Sequence, residues 1–246
     1  MKFLAVPLGA FLFSCTACSE EAHVTPYRPS VSNPAQLPTP GQLELELGGL
    51  ASNISTAQRD SLPYLLKFAF TDQWGILLGG DAYVSDDGAH GLGDTNVVLK
   101  KAFPVDEATA FGMELSAKLP TAKEPIGSGK SDYALNGIFS KDLGKVHIDT
   151  NLNFTRMGAV GPGEDRTQTG LSTALSAPLA EKWSATGEFS GTRRGGVRST
   201  GQLLAALAYS PSNLMTIDFG LAKGLNSASP GWSIFSGVVL PLARFW

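Results

Sequence analysis

Cysteine is nearly absent. The only two, Cys15 and Cys18, fall within the first eighteen residues of the 246. A chain that loses that end has no thiol left, which excludes a disulfide framework and thiol chemistry. No uninterrupted apolar run reaches eighteen residues, so a membrane-spanning helix is not expected. Positive charge is sparse as well: 19 Lys and Arg against 22 Asp and Glu give a net charge of −3, with the signs interspersed. That leaves no basic face for a phosphate backbone, and no nucleic-acid partner is expected. His23, His90 and His147 are too scattered for metal-ligand spacing, so neither a metal nor another cofactor is expected.

Glycine, in contrast, is abundant: 28 residues, about 11% of the chain against roughly 7% in typical proteins. The first nineteen residues read as an export signal, with Lys2 as the positive end, residues 3–13 as the apolar stretch, and small residues before Glu20. Leu12-Phe13-Ser14-Cys15 offers a competing reading, a lipobox that makes Cys15 a lipid-bearing N-terminus. Residues 20–41 follow, with five prolines between His23 and Gly41. Proline at that density favours extended polyproline II and resists helix and central strand. The segment is therefore expected to be a periplasmic tether, or alternatively a plug lying inside the following domain.

From Gln42 onward the chain alternates. Leu43, Leu45 and Leu47 oppose Glu44 and Glu46; Val146, Ile148, Leu152 and Phe154 oppose His147, Asp149, Asn151 and Asn153. A period of two with one apolar face argues strands. About twelve are expected, near 42–49, 63–71, 74–84, 94–104, 108–119, 131–142, 145–156, 167–179, 182–192, 199–210, 214–224 and 232–246. Tight turns such as "TDQW", "KDLGK" and "SPSN" alternate with longer polar stretches, beginning with residues 49–62 and 85–93. A soluble sandwich has no reason for such asymmetry, because both of its ends meet the same solvent. A transmembrane antiparallel up-and-down β-barrel does: short periplasmic turns, longer outer loops and an even strand number. Closure also removes edges that lipid cannot satisfy. The expected fold is thus all-β, a barrel of about twelve strands over residues 42–246.

The aromatics support this. Phe70, Trp74, Phe103, Phe111, Trp183, Tyr209 and Phe245 fall at the short-turn ends, and Tyr64, Tyr133, Phe154 and Trp232 at the long-loop ends, as two interfacial girdles require. In the last strand, Phe235, Val239, Ala243 and Phe245 are expected toward lipid and Arg244 toward the lumen. A shift by one residue, which turns Trp246 outward, is the alternative.

The segments "GLGDTNVVLKKAF", "AKLPTA", "GSGKSDYALNGIFSKDLGKVHIDTNLNFT" and "MTIDFGLAKGLN" resemble the outer-membrane transporter family named after the meta pathway of phenol degradation. The resemblance implies a barrel in the cell outer membrane and passive passage of small solutes, aromatic or hydrophobic compounds by that family's analogy. It also implies contact with membrane lipid and lipopolysaccharide, and a C-terminal aromatic read by the barrel-assembly machinery. A closed structural or surface-binding barrel is the alternative, with a barrel hydrolase behind it.

Several motifs invite chemistry. "IGSGKS" ends like a phosphate-binding loop, but position 124 is Glu where that loop needs Gly, and a strand follows where it needs a helix. His147 and Asp149 share a face, and Ser140 or Ser172 supplies a conceivable nucleophile. Asp86, Asp87 and Asp94 lack the alternating ligand spacing of a calcium loop. Arg193, Arg194 and Arg198 offer guanidinium forks to phosphate. No catalytic residue is assigned. The inward face carries the binding, pore-lining candidates: Glu44, Glu46, Lys67, Asp81, Asp94, Lys100, Glu114, Lys118, Asp132, His147, Asp149, Glu188 and Asp218. Acids dominate that set, so an open lumen is expected to favour cations or neutral solutes over anions.

Overall fold

A computed structural model describes residues 23–54 and 57–246. The expected signal peptide, its cleavage near Ser19 and the lipobox at Cys15 lie outside the described residues. Strands β1 (Gln42–Ile54), β2 (Ala57–Ala69), β3 (Trp74–Asp86) and β4 (Ala89–Gly91) open the chain. They are followed by β5 (Thr95–Asp106), β6 (Thr109–Leu119), β7 (Asp132–Leu143), β8 (Val146–Arg156) and β9 (Thr167–Ala180). Four more complete it: β10 (Trp183–Arg194), β11 (Thr200–Ser212), β12 (Met215–Gly224) and β13 (Trp232–Arg244). Each of these long strands pairs antiparallel with its sequence neighbour, β3 with β5, and β13 returns to pair with β1. The result is a closed twelve-stranded barrel without an edge among the described residues, with β4 folded back as a short hairpin on β3.

The wall follows the alternation. Leu115, Leu135, Leu171 and Leu203 point outward and are exposed, while Glu114, Asn136, Ser172 and Leu204 point inward and are buried. Exposed apolar residues make up a continuous outer belt, the reverse of a water-soluble fold and the condition for a barrel in lipid. At the short-turn rim the rings pack in contact: Phe111 with Phe139 at 5.3 Å, Trp183 with Tyr209 at 4.8 Å, and Phe68 edge-on to both Phe245 and Trp246 at 5.6 and 5.7 Å.

Two expectations are corrected. Most of residues 49–62 is strand, with β1 and β2 paired out to Ile54 and Ala57. Around Ser52–Asn53 and Gln58–Asp60 polar residues occupy both faces, and the alternation that marks a strand in sequence disappears. The second correction concerns β13. Leu43 pairs Ala243 whereas Glu44 pairs Pro241, leaving Leu242 as a bulge. One extra residue inverts the side-chain order across it. Ala243 and Phe245 stay outside, but Phe235 and Val239 turn inward (9% and 0% exposed) while Ile234 turns out (69%). Phe235 joins Leu204, Ala206 and Ala222 in an apolar cluster on the inner wall, and a Cβ on Gly220 would collide with both the Phe235 ring and Ala206.

Candidate functional site: the lumen and residues 23–41

The interior is occupied by the chain's own proline-rich segment. It enters at the short-turn rim, where Val24 N donates to Asn213 O, rises to a tip at Ser30–Asn33, and returns to the same rim at Gly41, whose carbonyl accepts from Phe245 N. An extended, proline-rich backbone makes few hydrogen bonds with itself, so its polar groups need partners from the wall. The wall supplies them with side chains. Thr25 N donates to both Glu44 carboxylate oxygens (3.1 Å each), Tyr27 N to Glu46 Oε1 (2.7 Å) and Arg28 N to Glu46 Oε2 (3.2 Å). Val31 N and Ser32 N both donate to Glu188 Oε2 (2.8 and 3.1 Å), and Ala35 N to Ser140 Oγ (2.8 Å). Asn33 is bracketed by Asn151, which accepts its N–H and donates to its carbonyl, each at 2.8 Å. In the other direction, Lys67 Nζ donates to Thr25 O and Lys100 Nζ to Pro34 O (2.5 Å).

Side chains of the segment are seated as firmly. Arg28 forks onto Asp218, and the slot it fills exists because β1 and β13 carry facing glycines, Gly48 and Gly237, where any Cβ would overlap the guanidinium. Gly75 likewise clears Leu37, and Gly112 lets Ala35 approach the wall. Tyr27 is almost fully buried, with the ammonium groups of Lys67 and Lys100 at 4.3 and 4.1 Å from its ring centre.

All thirteen residues singled out in the sequence sit on the inner face or its outer rim, but few border free space. Glu44 and Glu46 pair with Lys67 (3.0 and 2.5 Å), and Glu114 pairs with Lys100 (3.1 Å). Asp94 and Asp132 flank Lys118 (3.1 and 3.0 Å) near the outer rim, and Asp81 faces Arg59 at 3.7 Å. His147 lies between Asp142 and Asp149 (2.6 and 3.1 Å). Glu188 alone of the nine acids has no cation within ion-pair distance among the described residues. The expected excess of lumen acid is therefore spent on binding the segment and on internal ion pairs.

The residues sequence reasoning missed are those of the segment itself, above all Arg28, Tyr27 and Asn33, together with Gly48 and Gly237; Ser140, read there only as a conceivable nucleophile, instead accepts from the segment at Ala35 N. Their only sequence signal is proline density upstream and acids on an inward face, and neither says which acid meets which backbone group.

The competing chemistries do not assemble. Ser140 Oγ donates to Asp149 (2.5 Å), and His147 Nε2 reaches the same carboxylate rather than a hydroxyl, so the histidine is not placed to take a proton from serine. Residues 126–131 lie in the loop before β7, with no helix following. Asp86 is paired with Arg59 (2.7 Å), and no group of three metal-ligating side chains converges among the described residues. Arg194 meets Glu164 (3.3 Å) and Arg198 donates to Ser227, while Arg193 is exposed.

Free space remains on either side of the tip. A cavity of about 500 Å³ opens at the long-loop end with Val31 and Asn33 at its floor. On the short-turn side lies one of about 350 Å³, bordered by Tyr27, Arg28, Asp149, Ser176 and Thr186. It shares Pro26, Ser210 and Thr216 with the open mouth below. Along β10 the order is Thr186 in the lower cavity, Glu188 between, and Ser190 in the upper. Glu188 and the tip it holds separate the two spaces.

This architecture is that of outer-membrane channels and porins. The chain is similar to an outer membrane channel from Pseudomonas putida F1 (TM-score 0.70, 14% identity, 85% of this chain and 98% of that one). It is also similar to the NanC porin (0.62, 10%, 80% and 100%) and the CymD monoaromatic hydrocarbon channel (0.53, 8%, 85% and 90%). No protein-family model and no curated protein matches the sequence.

Proposed function

We propose that the chain is an outer-membrane channel for passive passage of small solutes, with residues 23–41 acting as a plug that narrows its own lumen. The observation that carries this is the division of a polar lumen into an outer and an inner cavity, separated on the β8–β11 side by the Glu188 carboxylate and the two backbone N–H groups it holds. A filled structural barrel needs no such paired spaces. The exposed apolar belt is to be covered by outer-membrane lipid, with lipopolysaccharide at the loop end, and the Phe245–Trp246 rim is the part offered to the assembly machinery. Kinship with the meta-pathway transporter family is supported by the sequence motifs; that resemblance and the fold likeness to CymD favour aromatic or hydrophobic compounds, whereas the lining of the outer cavity, rich in amides and hydroxyls and without an aromatic side chain, favours hydroxylated solutes. No enzymatic step is assigned, since no nucleophile, base and acid converge among the described residues.

Planar-bilayer recording of the folded chain tests the reading. Small, brief or low conductance is expected from the plugged channel, rising when the tip is released. A folded barrel that stays silent in both forms supports the alternative of a closed structural or surface-binding barrel.

A further inference from the structure

The two ends of the lumen differ in chemistry. Around the plug the wall is charged; above it the outer cavity carries five amide side chains from the wall, Asn96, Asn136, Asn151, Asn153 and Gln202, and Asn33 from the tip, interleaved with hydroxyls such as Ser116, Ser172 and Thr192. Its single ionisable lining group, Glu114, is already neutralised by Lys100 and holds the side-chain amides of Asn33 and Asn136. No Phe, Tyr or Trp lines it. The floor is preorganised: Asn151 Oδ1 accepts from Asn33 N and from Asn136 Nδ2 (3.1 Å), so these amides cannot swing away. Higher up, Asn96 on β5 and Gln202 on β11 line the cavity from opposite walls, and their side-chain amides have no hydrogen-bond partner among the described residues. Buried within the floor, Asn136 Oδ1 is also without one.

We propose that this outer cavity is a recognition site for small neutral, hydroxyl-rich solutes, polyols and saccharides, held by its amide ring before they pass the tip. The proposal rests on the channel reading above and supplies its substrate class. Amides and hydroxyls both donate and accept, so a hydroxylated solute exchanges its bonds to water for bonds of equal kind. An ion entering the same space gives up hydration and finds no free counter-charge. An aromatic hydrocarbon finds no ring to stack on and leaves the amides unpaired. The volume, about 500 Å³, lies within the range of small-molecule sites.

The test uses the purified full-length chain in detergent micelles, with sucrose, succinate and toluene as probes in ligand-observed NMR. Sucrose is expected to show saturation transfer that weakens at least tenfold in the double variant Asn96→Leu, Gln202→Leu. The softer pair Asn96→Ala, Gln202→Ala, checked for heat-modifiable mobility on a gel, keeps the comparison valid should the leucines impair folding. Absence of sucrose binding, equal binding in the folded variants, or preference for succinate or toluene overturns the proposal. Bilayer conductance of the same preparation separates the two claims. Conductance without sucrose binding removes this site and leaves the channel, whereas sucrose binding in a silent barrel removes the channel and leaves the site.

Discussion

The Arg28 guanidinium meets the Asp218 carboxylate at two points, Nε to Oδ2 at 2.9 Å and Nη2 to Oδ1 at 3.0 Å, across 190 positions of sequence. Planar two-point contact is the strong form of this pair, and here it ties the N-terminal segment to the second-last strand. Facing glycines on β1 and β13 make the space for it. Placing a methyl there by Gly237→Ala, or removing the carboxylate by Asp218→Ala, is expected to loosen the segment without opening the barrel. Amide exchange over residues 27–35 is then at least tenfold faster by mass spectrometry in detergent, with the strand peptides unchanged. Equal exchange in wild type and variants contradicts an anchoring role.

Glu188 holds the tip through Val31 N and Ser32 N on one oxygen. Hydrogen bonds to a charged group contribute about 1.5–3 kcal/mol each. Discounted for water in the adjoining cavities, Glu188→Ala is expected to raise the open population about ten- to a hundredfold. Glu188→Gln, which keeps an acceptor without the charge, falls between. Single-channel recording reads this as longer or more frequent openings, and unchanged gating in the alanine variant removes Glu188 as the closing contact.

Lys100 is completely buried between Glu114, the Pro34 carbonyl and the Tyr27 ring. Lys100→Met leaves a buried carboxylate without its partner, a change that costs about 3–5 kcal/mol. Urea unfolding in detergent, followed by tryptophan fluorescence, should show that loss. The double variant Lys100→Met, Glu114→Leu should recover much of it, because no uncompensated charge remains. A double variant as unstable as the single one means that packing, not charge, sets the loss.

Leu115 and Ser116 are neighbours on β6 facing lipid and lumen respectively. An arginine at a mid-belt lipid-facing position costs about 2–4 kcal/mol. Leu115→Arg is therefore expected to destabilise the barrel in lipid vesicles by that order, whereas Ser116→Arg, whose guanidinium reaches the wet outer cavity, costs much less. Equal effects contradict a membrane-facing exterior.

The strands were readable wherever one face met hydrocarbon and the other water, as in β6 and β8, where each residue's polarity reports its side. Legibility ended above the belt. The upper halves of β1 and β2 carry Ser, Asn, Gln and Arg on both faces, so nothing in their order marks a strand, and only the pairing of β1 with β13 and β2, and of β2 with β3, makes them strands. It ended also at β13, where Leu240 and Leu242 conflicted with Phe235 and Val239 until the bulge placed each. The inward acids were legible as a set, since charge on a strand's second face has nowhere else to go in a barrel. Their partners were not.

The order of residues by itself determined a closed wall with an apolar outside, two aromatic rims and a charged inside, because solvent on each face selects each side chain independently of distant contacts. Tertiary structure alone decided that those charges face a peptide and not open water. The acids of the wall and the backbone N–H groups of residues 23–41 lie up to 157 positions apart. Only closure of the barrel around the segment brings them within hydrogen-bonding distance.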